Sequence, residues 1–163
     1  MYKTIAVLLA GLVPLAASAQ ATDAAALFAR YVQVVNAGDK AGLRALIAED
    51  VERSPYRGCT AAMSNRDCLV AYIANTVLDR HGHIKPTESF GVDGDTIYAG
   101  LELRSDNIRA AGVERAFGID KIRFKNNQIM SLAFLPNLQD AQTKAYFDHI
   151  RATGTPSAQP VNR

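Results

Sequence analysis

The sequence lacks the local motifs of several large enzyme classes, and it carries little net charge. It contains no glycine-rich phosphate loop, no G-x-S-x-G turn of the serine hydrolases and no H-E-x-x-H zinc motif. Its formal charge is only +2 over 163 residues, with acidic and basic residues interspersed along the chain. A nucleic-acid-binding surface needs a basic stripe, which this distribution does not provide. We therefore expect no nucleic-acid partner, no cofactor, and neither nucleotide nor serine-hydrolase chemistry.

The N-terminus is apolar, but the chain lacks an apolar run there that is long enough to cross a membrane. A spanning helix needs about 20 apolar residues, whereas the stretch from Ile5 to Leu15 is shorter and is broken by a glycine and a proline. Lys3 before this stretch and the small residues 17–19 after it are typical of a secretory signal peptide. We predict a signal peptide over residues 1–19, a mature chain from Gln20 that does not associate with membranes, and a periplasmic or secreted location.

Cysteine is scarce, because Cys59 and Cys68 are the only two in the chain. In an oxidising compartment, an even pair this close in sequence favours a disulfide. A redox or metal role is the alternative, but the spacing is neither C-x-x-C nor that of a zinc site. The predicted bridge closes a short loop and fixes the polar segment 54–67, which has few apolar residues of its own.

The first half of the mature chain shows helical periodicity. Apolar residues fall three and four apart after Thr22, which we predict to cap the first helix. Asp39 is predicted to cap a short second helix, and Ser64 or Asn65 to open a third. A short strand is expected over residues 50–53, between the second helix and the third.

The second half of the chain alternates apolar and polar residues, which is typical of half-buried strands. Turn signals at residues 93–95 and 126–127 separate these strands and favour antiparallel hairpins. Asp140 is predicted to cap a last helix. Helices followed by strands indicate an α+β fold. We expect one domain over residues 20–151, with residues 152–163 as a flexible tail.

Asp120 is the most informative single residue of the strand-rich half. Alternation places it on the strand face shared by Gly118 and Ile122, while Lys121 points the other way. Burial disfavours an ionised carboxylate, so the pKa of Asp120 should be raised and the neutral acid could donate a hydrogen bond. The alternative is that Asp120 is partly hydrated near a strand end, or pairs with Arg115 or Lys121. Alternation alone does not choose between these interpretations.

Tyr31 lies on the apolar stripe of the first helix, where a buried structural tyrosine is the default interpretation. The sequence around it, Tyr31-Val32 followed by Val34 to Asp39 and then by Leu46 and Asp50, resembles the opening of one branch of a known superfamily. This is the ketosteroid isomerase branch of the nuclear-transport-factor-2-like (SnoaL-like) superfamily. The segment from Gly118 to Phe124 resembles a strand of the same branch.

The resemblance implies both a fold and a site. The implied fold is a cone, in which N-terminal helices pack into a curved antiparallel sheet. In the isomerases, a tyrosine at the position of Tyr31 and an acid of raised pKa at the position of Asp120 form the oxyanion hole for a dienolate intermediate. The motif around Tyr31 is common across the superfamily, so it indicates the fold better than it indicates an activity.

One departure from the family concerns the general base. The isomerases carry an aspartate before a proline on the first strand, whereas here Ser54 precedes Pro55. A neutral hydroxyl removes a carbon-bound proton poorly without a base of its own. Glu52 is the nearest replacement, since it shares a strand face with Ser54, although an ordinary solvated acid is the alternative interpretation. A one-residue bulge would present Arg53 instead.

His81 and His83 lie two apart on one predicted strand face, as a pair of metal ligands could. No carboxylate stands at metal-ligand spacing from them, and a tetrahedral zinc site needs more protein ligands than two. We interpret the pair as polar residues of a strand edge and predict no metal site.

These features predict an apolar cavity between the helices and the sheet, with Tyr31 and Asp120 as its polar groups. The expected ligand is a small apolar or carbonyl-bearing molecule, bound without catalysis. One alternative is a steroid isomerase or other enolising enzyme that uses Glu52 as its base. Another is an interaction module that forms a homodimer through the outer sheet face. The predicted cavity lining comprises Val35, Ile122, Phe124 and Phe134.

Overall fold

The structure is a computed structural model that describes residues 15–54, 56 and 58–153, without the side chains of residues 15–22. Most of the predicted signal peptide, Pro55 and most of the predicted tail therefore lie outside the described residues. Within these ranges the chain forms helices first and a sheet afterwards, in agreement with the α+β prediction. The helices are α1 (Leu15–Asn36), α2 (Lys40–Leu46), α3 (Asn65–Thr76), α4 (Asp106–Ala110) and α5 (Ala141–Thr153), with a 3-10 turn at Leu78–Arg80.

The first helix begins earlier than the sequence analysis predicted. Because α1 starts at Leu15, Thr22 lies inside the helix, and its prediction as the cap was wrong. Residues 15–22 are rich in alanine, the strongest helix former, and they contain no glycine or proline to stop the helix. Local propensity therefore extends α1 upstream of its amphipathic part.

The other predicted helix starts are confirmed by hydrogen bonds at their caps. The side chains of Asp39, Ser64 and Asp140 each accept a hydrogen bond from the backbone N–H three residues further on. The distances are 2.8, 3.1 and 2.9 Å. Each bond satisfies one of the backbone donors that the first turn of a helix leaves without a partner.

Four antiparallel strands form the sheet in the order β1-β2-β3-β4, so each strand pairs with its neighbour in sequence. The turn between β3 and β4 is Asn126-Asn127, both at positive φ (51° and 61°), a conformation that asparagine tolerates in tight hairpins. The predicted α+β fold with an antiparallel sheet is confirmed. The strands are β1 (His83–Asp93), β2 (Thr96–Arg104), β3 (Ala116–Lys125) and β4 (Gln128–Pro136).

The predicted strand over residues 50–53 is not part of this sheet, and that prediction was wrong. Residue 47 makes a single parallel bridge to Ile129 of β4. The backbone N–H of Glu52 then donates to the carbonyl of Met130 at 2.8 Å, without forming a ladder. The segment 47–52 thus covers one edge of the sheet. At the other edge, the register of β1 breaks between Pro86 and Phe90 in a bulge.

The inner sheet face carries the core, as alternation predicted. The buried side chains of β2 are Ile97, Ala99, Leu101 and Leu103. Asn36 at the end of α1 joins the helical layer to this sheet, because its side-chain amide exchanges two hydrogen bonds of 2.8 Å with the backbone of Ile84 in β1. Because β1 is an edge strand of the described sheet, it has no neighbouring strand on this side, and the Asn36 amide takes the place of one. The two hydrogen bonds fix the position of α1 over the sheet.

The predicted disulfide between Cys59 and Cys68 is present, with 5.1 Å between the two Cα atoms. It ties the loop before α3 to the first turns of that helix. The guanidinium of Arg53 braces the same loop, since it donates to the carbonyls of Thr60 at 2.6 Å and Met63 at 2.9 Å. The polar segment is therefore ordered by one covalent bond and by hydrogen bonds instead of by an apolar core of its own.

The last helix packs on the sheet through three buried side chains, Tyr146, Phe147 and Ile150. Its first turn is attached to β3, because the fully buried Thr143 hydroxyl accepts a hydrogen bond of 2.8 Å from the backbone N–H of Phe117. Across the described part of the chain, none of these helices has the length and apolar character of a membrane span.

Candidate functional site

Helix α1 and strand β3 bring Tyr31 and Asp120 together inside the fold. Both side chains are buried, at 4 % exposure each. The phenol and the carboxyl are close neighbours, and each shifts the pKa of the other. Tyr31 is there because it falls on the apolar stripe of α1. Asp120 is there because it occupies an inward position of β3, opposite Ala99 on one neighbouring strand and Phe134 on the other.

The protonation of this pair follows from its burial. Loss of hydration raises the pKa of the Asp120 carboxyl to about 7, and the hydrogen bond with Tyr31 offsets part of that rise. Burial, and after it the nearby charge of Asp120, raises the pKa of the Tyr31 phenol well above its ordinary value. Tyr31 is therefore a hydrogen-bond donor at all physiological pH values, and Asp120 is a neutral acid below about pH 7.

Two further tyrosines surround the pair. The ring of Tyr72 from α3 stacks on that of Tyr56, with 4.5 Å between ring centroids. The Tyr56 hydroxyl donates to the carbonyl of Leu132 in β4 at 2.5 Å. Burial raises the pKa of the Tyr72 phenol well above its ordinary value, and the charge of Asp120 adds to that rise. Nothing in the sequence marks Tyr72 as a neighbour of Asp120, because the two residues lie 48 positions apart on different elements.

A cavity of about 30 Å³ adjoins Tyr31, Tyr72 and Asp120. Among the described residues, these three are the only ionisable groups that line it, and Asp120 is the only carboxyl. The volume suffices for about two water molecules. The remaining wall is apolar except for one threonine, and it consists of Ile73, Thr76, Val77, Ile84, Leu101, Leu103, Leu132 and Phe134.

Glu52, the predicted replacement base, and Ser54, which stands at the position of the family's base, both lie outside this cavity. Glu52 is 63 % exposed and pairs with the guanidinium of Arg123 at 2.5 Å. Ser54 is half-buried, and its hydroxyl is hydrogen-bonded to Tyr56. Neither side chain belongs to the wall of the cavity beside Asp120.

The four predicted lining residues separate into three groups. Phe134 is part of the wall of the Asp120 cavity. Phe124 lines a different cleft of about 170 Å³ between the middle of α1 and the two hairpin turns. Val35 and Ile122 are fully buried in the core and border neither space. Helical and strand periodicity place all four on the inner side, but they do not resolve which of them face an open volume.

The two histidines do not converge on a common site. The Nδ1 atom of His81 lies 2.6 Å from the Oδ2 atom of Asp106, and the side chain is exposed. His83 is the first residue of β1, opposite Arg104 of β2. Among the described residues, no group of three or more histidine, cysteine, aspartate or glutamate side chains is arranged to hold a metal ion.

Gly118 does not line the Asp120 cavity, but it supports Phe134, which does. A Cβ atom placed on it would lie 2.3 Å from the Cζ atom of Phe134 and 2.6 Å from the carbonyl oxygen of Leu135. The ring of Phe134 therefore rests directly on the backbone of Gly118. This contact places the ring between β3 and α5, beside Asp120.

No family model and no curated protein matches this sequence. Solved structures do match its fold. An epoxide hydrolase/cyclase-like enzyme of pyran ring formation in the polyether salinomycin has a TM-score of 0.56 at 20% identity, over 73% of this chain and 94% of that one. A protein assigned as a ketosteroid isomerase from Kribbella flavida has a TM-score of 0.51 at 18% identity, over 68% and 75%.

A third match is an NTF2-like protein of unknown function from Cytophaga hutchinsonii. It has a TM-score of 0.50 at 7% identity, over 69% of this chain and 88% of that one. At identities this low, the likeness shows the fold alone, and one fold supports many unrelated functions.

Proposed function

We propose that this chain, which has the fold of the nuclear-transport-factor-2-like (SnoaL-like) proteins, binds a small molecule through one carbonyl or enolate-like oxygen. The oxygen lies between the Tyr31 hydroxyl and the protonated Asp120 carboxyl. The observation that carries the proposal is the burial of these two groups side by side in the wall of the small cavity. Donors fixed in a dry site stabilise a partly negative oxygen better than water does, because they need no reorganisation.

The described part of the cavity wall offers no second carboxyl that could act as a separate general base. Asp120 is its single acid, and a group that donates to the ligand oxygen is not free to remove a proton from carbon. Glu52 is exposed and paired with Arg123, which gives the enolising alternative no support. Binding is therefore the function that this arrangement favours over isomerisation.

Replacing Tyr31 with phenylalanine should weaken the binding of phenol, which mimics an enolate. The substitution removes one donor and little volume, so affinity should fall by about two- to tenfold, since a hydrogen bond between neutral groups contributes about 0.5 to 1.5 kcal/mol. Protein-detected NMR titration with phenol measures this change. Affinity should also fall above about pH 7, where Asp120 ionises and repels the oxygen.

A matched control is Tyr146→Phe, which removes a buried hydroxyl from α5 that does not belong to the cavity wall. Its affinity for phenol should equal that of the wild type. Equal affinities of wild type and Tyr31→Phe would contradict the proposed site.

A homodimer through the outer sheet face is a second proposal, and it has support of its own. Ile119 and Leu135 are paired in register across β3 and β4, and each side chain is 37 % exposed. Adjacent exposed apolar side chains are typical of an interaction surface. Light scattering should give the mass of two chains, and Ile119→Lys should reduce it to one. A wild-type mass of one chain would remove this proposal.

Export to the periplasm or the medium remains part of the proposed function. The predicted signal peptide supports it, and so does the disulfide, because disulfides persist in oxidising compartments and are rare in the cytosol.

A further inference from the structure

The Asp120 cavity is small for a binding site. Its volume of about 30 Å³ is well below the roughly 150 Å³ that admits benzene in an engineered protein cavity. Most small-molecule pockets are larger still. The ligand must therefore be compact, or a wall of the cavity must give way when it enters. The side chain that keeps this wall in place therefore limits the size of the ligand.

Phe134 is the largest apolar side chain of the wall, and it cannot retreat toward β3. Its ring rests on the backbone of Gly118, where even an added methyl carbon would be 2.3 Å from its Cζ atom. The carbonyl oxygen of Leu135 closes the same space at 2.6 Å. On its other side, the ring of Phe134 stacks on an aromatic side chain of α5.

Phe147 of α5 stacks on Phe134, with 6.3 Å between ring centroids and 19° between ring planes. It is itself fixed, because it is 2 % exposed and Tyr146 packs against it edge-on at 5.3 Å. The hydrogen bond from Phe117 to Thr143 holds the first turn of α5 on β3. Phe134 is thus enclosed between a glycine backbone and a helix that is itself anchored.

We infer that Phe147 limits the size of the ligand by holding Phe134 in the cavity wall, so that the native protein discriminates against larger ring systems. Phe147 does not line the cavity, and it acts as a positioning residue through Phe134. The size limit itself depends only on packing. The identification of the ligand as a carbonyl compound rests on the proposed function above.

The test compares phenol with 2-naphthol, which adds one ring, in wild type and in Phe147→Ala. The wild type should prefer phenol by about tenfold or more, since forcing extra atoms into a packed interior costs about 1 to 3 kcal/mol. In Phe147→Ala the ring of Phe134 can move into the vacated space. The ratio of the affinity for phenol to the affinity for 2-naphthol should then fall close to one. Phe147→Leu retains part of the volume and should give an intermediate value. Binding is followed by naphthol fluorescence and by NMR.

Leu43→Ala is the matched control. It also removes a fully buried side chain, but from α2, outside the cavity wall. It should lose stability and keep the wild-type preference for phenol. If Phe147→Ala proves too unstable to study, Phe147→Leu gives the same test with a smaller expected change. A preference that is the same in wild type, Phe147→Leu and Phe147→Ala overturns the inference.

Benzene separates this inference from the proposed function, because it fills space but accepts no conventional hydrogen bond. Phe147→Ala should bind benzene at least about tenfold more tightly than wild type, with or without the Tyr31 hydroxyl. A folded Phe147→Ala protein that binds neither benzene nor phenol contradicts the size limit. If benzene binds as expected while Tyr31→Phe leaves phenol binding unchanged, the proposed function fails and the size limit stands.

Discussion

Asp120→Asn is expected to stabilise the protein by roughly 4 kcal/mol at about pH 9, although it removes a residue of the proposed site. Burial moves the pKa of Asp120 from 3.8 to about 7. Each pKa unit corresponds to about 1.4 kcal/mol between folded and unfolded states. The amide keeps the shape and one donor of the neutral acid, but it never carries the charge that the dry site disfavours.

The direction of the effect follows from proton binding. Between about pH 4 and pH 7 the folded chain holds a proton that the unfolded chain has released. The stability contributed by protonated Asp120 is therefore complete below about pH 4 and is lost as the pH rises through about 7. The difference between Asp120→Asn and wild type should grow from near zero at about pH 4 to its full value at about pH 9.

Urea unfolding of both proteins across this range measures the difference in the free energy of unfolding. Asp93→Asn is the control, because it makes the same chemical change at an exposed position of β1. It should show no comparable pH dependence relative to wild type. A constant difference between Asp120→Asn and wild type over the whole range would mean that Asp120 ionises as readily in the folded chain as in the unfolded one.

Removing the disulfide should lower the free energy of unfolding by about 2 to 3 kcal/mol. The bridge joins two residues only 9 apart in sequence, so it restricts a short loop of the unfolded chain. The loop has few apolar contacts to compensate for the loss. The double variant Cys59→Ser with Cys68→Ser, compared with wild type in urea, gives the change directly.

Wild type treated with a thiol reductant should unfold at the same urea concentration as the double variant. The double variant itself should not respond to the reductant. Equal stability of oxidised wild type and the double variant would show that Arg53 and its hydrogen bonds hold the loop without the bridge. The intact mass of protein recovered from a periplasmic extract reports the bridge, and it also shows whether the chain begins at Gln20.

The pairing of Tyr31 with Asp120 could be anticipated because each position follows from a simple period. Tyr31 falls on the buried stripe of a helix, and Asp120 falls on the inward face of a strand. Resemblance to one family then suggested that the two faces meet. The fold class could be predicted in the same way, since a change of period from helix to strand along the chain is a strong signal.

Other parts of the site could not be predicted, because they depend on distances across the core. Periodicity shows which side of a strand Phe134 occupies, but not that its ring rests on Gly118 and leaves a cavity of only about 30 Å³. Likewise, the short segment 50–53 has too few residues for alternation to distinguish a strand from an irregular segment. For this reason, the exposed position of Glu52 emerged only from the structure.

The break in the register of β1 has a consequence for the behaviour of the chain in crowded solution. An open sheet ends in two rows of unused backbone groups, onto which a strand of another molecule can add and begin a fibril. At the β1 edge, Pro86 has no backbone N–H to donate to an added strand. The bulge between Pro86 and Phe90 also bends this edge away from a straight strand. Residues 47–52 cover part of the other row. The sheet therefore offers little template for aggregation.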